Sequence, residues 1–190
     1  ADELITNEHV ELVTFTGGVA IGKYIASKAG YRRMVLELGG NDPLIVMEDA
    51  DIDEASTLAV AGSYKNSGQR CTAVKRMLVH QAVADRFVEQ VVAKTRAWTY
   101  GDPSDRKLDM GTVIDEPAAM FFEARVNEAI AQGARLLVGN QRRGALYSPT
   151  VVDQVRPEML LVKQETFGPV SPIIRFKDID DAIRISNGTA

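Results

Sequence analysis

Short apolar runs alternate with longer amphipathic ones along this 190-residue chain. Residues 11–16, 34–38, 44–47, 74–80, 135–138, 149–152 and 170–176 have the length and apolar character of strands. Helices are expected at 19–29, from the acidic run 48–54 to about 66, and at 83–98, 117–132 and 179–186. In 83–98, Val83, Phe87, Val88, Val91 and Val92 recur on one face. Pro117 suits a first helical turn, and Gly133 and Asn187-Gly188 act as stops. The alternation predicts an α/β fold, a mainly parallel sheet flanked by helices.

Composition narrows the function classes. Apolar residues make up 45% and charged residues 25%, ordinary for a globular protein with a real core. A net charge of −4 leaves no basic footprint for nucleic acid. No apolar run approaches the roughly 18 residues of a membrane span, and no signal peptide is seen. Cytoplasm is the expected compartment, without nucleic-acid or membrane partners. The chain begins without methionine and enters an α/β pattern almost at once, as an excised piece of something larger would.

Cys71 is the only cysteine, so no internal disulfide is available, and with His9 and His80 as the two histidines it has little to build a metal site from. It is either a nucleophile or a small buried hydrophobe. Its setting, Asn66-Ser67-Gly68-Gln69-Arg70-Cys71-Thr72, supplies a permissive glycine and a fixed positive charge, and a neighbouring cation favours thiolate. Glu37 stands in an apolar strand just before Gly39-Gly40. It is a buried or cleft-facing base, with burial raising its pKa, or an outward-facing acid on an edge strand.

Thr16-Gly17-Gly18 joins a strand to a helix, where backbone N–H groups can receive phosphate; a plain tight turn is the alternative. Gly17 and Gly22-Lys23 have Walker A separation, but Tyr24 replaces the magnesium-ligating hydroxyl. Asp49, Asp51 and Asp53 imitate a calcium loop, yet Glu54 and Val60 occupy its glycine and bidentate positions. Helix capping explains them better. The polar segment Lys163 to Pro169 reads as a loop entering a strand.

Together these residues resemble the aldehyde dehydrogenase superfamily. The glutamate motif is Leu36-Glu37-Leu38-Gly39-Gly40-Asn41-Asp42-Pro43, and the cysteine motif is Gly68-Gln69-Arg70-Cys71. The glycine turn is Phe15-Thr16-Gly17-Gly18, and the later cofactor motif is Gln164-Glu165-Thr166-Phe167-Gly168-Pro169-Val170. The Glu37-to-Cys71 spacing is the family's, and the resemblance covers essentially the whole chain. It implies residues 1–36 as a remnant of the Rossmann-like NAD(P)-binding domain and 37–190 as a truncated catalytic domain. The isolated piece should be inactive. The family's oxyanion asparagine lies upstream of it.

The implied chemistry is oxidation of an aldehyde by NAD or NADP, with NAD put first, in a homodimer or homotetramer. Cys71 attacks the carbonyl, hydride leaves the thiohemiacetal, and water deprotonated by Glu37 hydrolyses the thioester. The resemblance assigns Gly17 and Gly18 to the pyrophosphate, although many members carry serine at position 18. It assigns Glu165 to the nicotinamide ribose, and Leu38 and Phe167 to cofactor contact. Arg70 and Thr72 would face the substrate. Arginine before the nucleophile is similar to members that oxidise phosphonate- or phosphate-bearing aldehydes, and a guanidinium fork suits such anions. A structural salt bridge is the alternative for Arg70.

Overall fold

The computed structural model describes residues 1–189, which fall into two units, Ala1–Gly40 and Asn41 onward. The division comes four residues later than the 36/37 boundary expected from sequence. The reason is pairing: Glu37 is the last residue of a strand that belongs wholly to the first unit.

In the first unit, α1 (Asp2–Thr6) precedes β1 (Leu12–Thr16), α2 (Val19–Ala29) and β2 (Arg33–Glu37). The strands pair in parallel, Leu12 opposite Arg33 and Thr16 opposite Glu37. Ile5, Ile25 and Ala29 form its small core, with Val13 and Phe15 against it. Arg32 ties the unit together by donating to the carbonyls of Thr6, Asn7, Val10 and Ala29 at 2.7–3.0 Å.

The second unit is built on five strands: β3 (Pro43–Val46), β4 (Arg76–His80), β5 (Arg135–Val138), β8 (Thr150–Asp153) and β9 (Val170–Phe176). Their spatial order is β3-β4-β9-β8-β5, parallel throughout except for antiparallel β5–β8. Helices α3 (Ile52–Tyr64), α4 (Ala84–Ala97), α5 (Glu116–Ala131), α6 (Leu160–Lys163) and α7 (Ile179–Ser186) complete it, with a small hairpin of β6 (Arg142–Arg143) and β7 (Leu146–Tyr147). One cluster of buried residues is centred on Phe122, Tyr147, Met159, Leu161 and Ile174. A second, around Tyr64, Met77, Phe87 and Val91, packs α3 and α4 against the sheet.

Several polar groups of the second unit are held by named partners. Asp51 caps α3 by accepting from the Asp53 and Glu54 N–H groups, as the capping reading of the acidic run anticipated. Tyr64 is fully buried, and its pKa is pushed up to about 12 by desolvation, opposed by hydrogen bonds from Ser171 and with Thr95. Arg76, 2% exposed, donates to the carbonyls of Asn41 (2.7 Å), Ile185 (3.1 Å) and Ser186 (3.1 Å), so its charge sits at the C-terminal end of α7. Burial lowers its pKa, with Asp42 opposing.

Candidate active site

The loop leading to Cys71 is strained. After α3, Asn66 (φ 55°) and Ser67 (φ 54°) adopt left-handed backbone, followed by Gly68 at 69°. Such conformations cost a non-glycine residue roughly 1–2 kcal/mol each. Hydrogen bonds offset this: Ser67 Oγ donates to the carbonyls of Gly111 (3.2 Å) and Thr112 (3.1 Å). Gln69 Oε1 accepts from the Ile114 N–H at 2.9 Å. Strain of this kind concentrates where a side chain must be presented rather than packed. Cys71 is exposed at the loop's end, with Thr72 exposed beside it. The buried-hydrophobe alternative does not hold.

A second loop meets this one. Between α6 and β9 it carries Glu165 and Phe167, and Phe167 also has a positive φ of 51°. Arg125 of α5 fixes the segment by donating to the carbonyls of Gln164 (2.8 Å) and Glu165 (3.1 Å) and to the Gln164 side chain. Its guanidinium also lies 4.3 Å from the Phe121 ring centroid. Gly168 is held against Phe122, whose ring would be 2.5 Å from an added β-carbon.

Arg70 turns back onto α3. Its Nη2 donates to the Gly62 carbonyl at 2.8 Å, and its Nε is buried without a partner. No carboxylate is paired with it among the described contacts, so the salt-bridge alternative takes a different form, a bond to main chain. Lys75, absent from the expected site, sits among these residues. Its side chain is 4% exposed; Nζ donates to the Cys71 carbonyl and lies 3.1 Å from Glu165 Oε1 and 3.9 Å from Asp42 Oδ2.

The remaining expected residues lie in the first unit. The Gly17 N–H donates to the Glu37 carbonyl at 3.0 Å, joining the glycine turn to the end of β2. The Glu37 side chain is exposed there, not buried as one reading required. A β-carbon on Gly17 would be 2.5 Å from the tip of the Phe15 ring, which would have to move aside. Gly18 has open space around it, and it caps α2 without any side-chain bond. Gly22 accepts the Leu38 side chain at 2.5 Å from where a β-carbon would be, which explains this glycine without a Walker A role.

A family model, "Aldehyde dehydrogenase family", matches residues 1–190. This chain belongs to the aldehyde dehydrogenase family. It is 40% identical over 189 residues to sulfoacetaldehyde dehydrogenase of Neptuniibacter caesariensis, covering 100% of this chain and 41% of that protein. It is 44% identical over 186 residues to NADP-dependent glyceraldehyde-3-phosphate dehydrogenase of Streptococcus equinus, covering 98% and 39%. Among solved structures, an NADP complex of the glyceraldehyde-3-phosphate enzyme from Bacillus halodurans superposes with a TM-score of 0.96 at 44% identity, covering 99% and 39%. The chain therefore spans about two fifths of the length of these curated relatives.

The residues present suit a dinucleotide of the kind the family uses. An uncapped N-terminus of an 11-residue helix begins at an unobstructed glycine, a favourable place for phosphate oxygens. Glu165, within the second unit, has a side chain 25% exposed and 3.1 Å from Lys75 Nζ. Among the described residues no group of three or more His, Cys, Asp or Glu side chains is placed to hold a metal ion, and no helix is long and apolar enough to cross a membrane.

Proposed function

We propose that the intact enzyme carrying this chain oxidises an anionic aldehyde to its carboxylic acid with NAD or NADP, with phosphonoacetaldehyde as the leading substrate. The observation that carries this reading is the close approach of two loops, one presenting Cys71 and the other Glu165 and Phe167. An added β-carbon on Gly68 would lie 2.3 Å from the Gly168 carbonyl oxygen, so the two loops are in backbone contact there.

In the proposed mechanism Cys71 loses its proton to Glu37, directly or through water, and the thiolate forms a C–S bond to the carbonyl carbon. The Cys71 backbone N–H supports the resulting oxyanion together with the family's upstream asparagine. NAD(P)+, when bound, supplies the hydride acceptor. As the carbonyl re-forms, Cys71 holds a thioester. Glu37 passes the proton from Cys71 to solvent and, ionised again, takes a proton from water, whose oxygen attacks that thioester; the acid leaves as Glu37 returns this proton to the sulfur. Gly17, Gly18, Leu38, Glu165 and Phe167 would bind the cofactor. Relatives crystallised with NADP support that form as well as NAD. A homodimer or homotetramer is the proposed assembly.

Arg70 supports the anionic class. With one Nη2 proton given to Gly62 and Nε buried, the end-on pair of Nη1 and the second Nη2 proton is left for a phosphonate or phosphate. Relatives named for sulfoacetaldehyde and glyceraldehyde 3-phosphate belong to the same class, others are named for the uncharged lactaldehyde, and glyceraldehyde 3-phosphate is the second reading. The test is a panel of phosphonoacetaldehyde, sulfoacetaldehyde, glyceraldehyde 3-phosphate and lactaldehyde with each cofactor, using the intact enzyme and its Cys71→Ser variant. Turnover greatest with an anionic aldehyde and abolished by the substitution is expected. Cofactor binding without reduction on any aldehyde, together with a Cys71 inert to iodoacetamide, would instead identify a nucleotide-binding module.

A further inference from the structure

Lys75 is a buried ammonium that the family reading leaves without a task. Its side chain is 4% exposed and is followed by the wholly buried strand β4, where Met77, Leu78 and Val79 are apolar. A lysine is tolerated in such a place only when acceptors replace its water. Here they come from three separate stretches: the Cys71 carbonyl, the Glu165 carboxylate at 3.1 Å and the Asp42 carboxylate at 3.9 Å. The Phe167 ring centroid lies 6.0 Å away, at the edge of cation–π range.

Two of these partners differ in kind. The Cys71 carbonyl is main chain, so an ammonium donating to it limits rotation of the peptide that bears the nucleophile. Glu165 has a side chain 25% exposed, with one oxygen on Lys75. A carboxylate has lone pairs enough to stay on the ammonium and still accept from a hydroxyl.

We propose that Lys75 is a positioning residue that holds Glu165 ready for the cofactor ribose and, with the same ammonium, fixes the main chain of Cys71. The inference rests on the dehydrogenase reading for its ribose partner, while the link between Glu165 and Cys71 stands on geometry alone. Ligand engagement at Glu165 then alters the pull of Lys75 on the Cys71 carbonyl, so cofactor binding and sulfur reactivity are coupled.

The intact enzyme tests this with Lys75→Met, Lys75→Arg, Glu165→Gln and the Lys75→Met/Glu165→Gln double variant. The readouts are cofactor KM, kcat, direct cofactor binding and the rate of Cys71 alkylation by iodoacetamide with and without cofactor. Lys75→Met should raise cofactor KM at least tenfold and erase the effect of cofactor on alkylation, and Lys75→Arg should restore part of both. In the Glu165→Gln background, Lys75→Met should change KM less than threefold further, the non-additivity of a shared contact. A folded Lys75→Met enzyme with KM and cofactor-dependent alkylation within twofold of wild type would overturn the proposal, as would multiplicative effects. If Lys75→Met does not fold, Glu165→Gln decides: cofactor-free alkylation of Cys71 should change at least threefold, and an unchanged rate overturns the coupling. Absence of wild-type turnover would count against the dehydrogenase reading alone, since the alkylation arm needs no catalysis.

Discussion

Gly68 and Gly168 meet backbone to backbone: a β-carbon on the first would fall 2.3 Å from the carbonyl oxygen and 2.5 Å from the carbonyl carbon of the second. Gly68 also has a φ of 69°, which alanine adopts at a cost of roughly 1–2 kcal/mol. Gly68→Ala should therefore lower the melting temperature and, by moving Cys71, reduce kcat at least tenfold. Thermal unfolding and steady-state rates check both, and an unchanged kcat would separate the nucleophile from this contact.

Arg125 sets the loop containing Glu165 from behind. Its buried guanidinium has a pKa lowered by desolvation, with Glu128 opposing, yet serves two carbonyls and a side chain. Arg125→Met keeps bulk but leaves those acceptors without a donor, at roughly 1–3 kcal/mol. Cofactor KM should rise more than aldehyde KM. Equal rises would assign Arg125 to general stability.

Glu37 is the proposed base for deacylation. Glu37→Gln retains its shape and loses its proton affinity, so turnover should fall by about 10²–10⁴-fold, the usual worth of such a group. Rapid mixing should show a burst of NAD(P)H followed by accumulated acyl-enzyme. Normal turnover, with no change in acylation, removes Glu37 from the mechanism.

Arg70→Ala should raise KM for phosphonoacetaldehyde at least tenfold more than for lactaldehyde. Equal changes on the charged and uncharged aldehydes would leave Arg70 as a support for α3 through its bond to Gly62.

Tyr64 governs alkaline stability. Its folded pKa is raised to about 12 from 10.0, chiefly by desolvation. Between those values the unfolded chain has released a proton that the folded one keeps, so stability falls as pH rises from about 10 to about 12. Burial raises Tyr147 in the same direction. Denaturant unfolding at pH 9 and 11 should show this loss, and Tyr64→Phe should reduce the slope while lowering stability at pH 9 through the lost Ser171 bond.

Much of this was legible in the sequence because local and tertiary preferences agree. The helix at Val19–Ala29, the strand at Val170–Phe176 and the helix at Ile179–Ser186 have the expected bounds. The helix anticipated to about 66 stops at Tyr64 because the next turn bends into left-handed backbone. The strand expected from 74 begins at Arg76, since the Val74 N–H is spent on the Gly62 carbonyl. The hairpin of Arg142–Arg143 and Leu146–Tyr147 was missed, its two-residue strands being too short for any periodicity. So were α1 (Asp2–Thr6) and α6 (Leu160–Lys163), each one turn or little more. Cys71 and its loop stood out by chemistry. Lys75 did not, because its partners Asp42 and Glu165 are remote along the chain. The available signal was two adjacent cations inside the run 73–79, rare where a strand is about to be buried.

Arg76 has a consequence for biosynthesis. Its guanidinium is satisfied partly by Asn41, already synthesised, and partly by Ile185 and Ser186, which follow it by 109 and 110 positions. During translation two of its acceptors are missing until that distant stretch emerges, so β4, which lies between β3 and β9, lacks part of its support on a nascent chain halted earlier. Ribosome-stalled chains that hold residues 185 and 186 inside the exit tunnel should leave β4 open to protease, and a C-terminal linker long enough to carry both clear of the tunnel should close it.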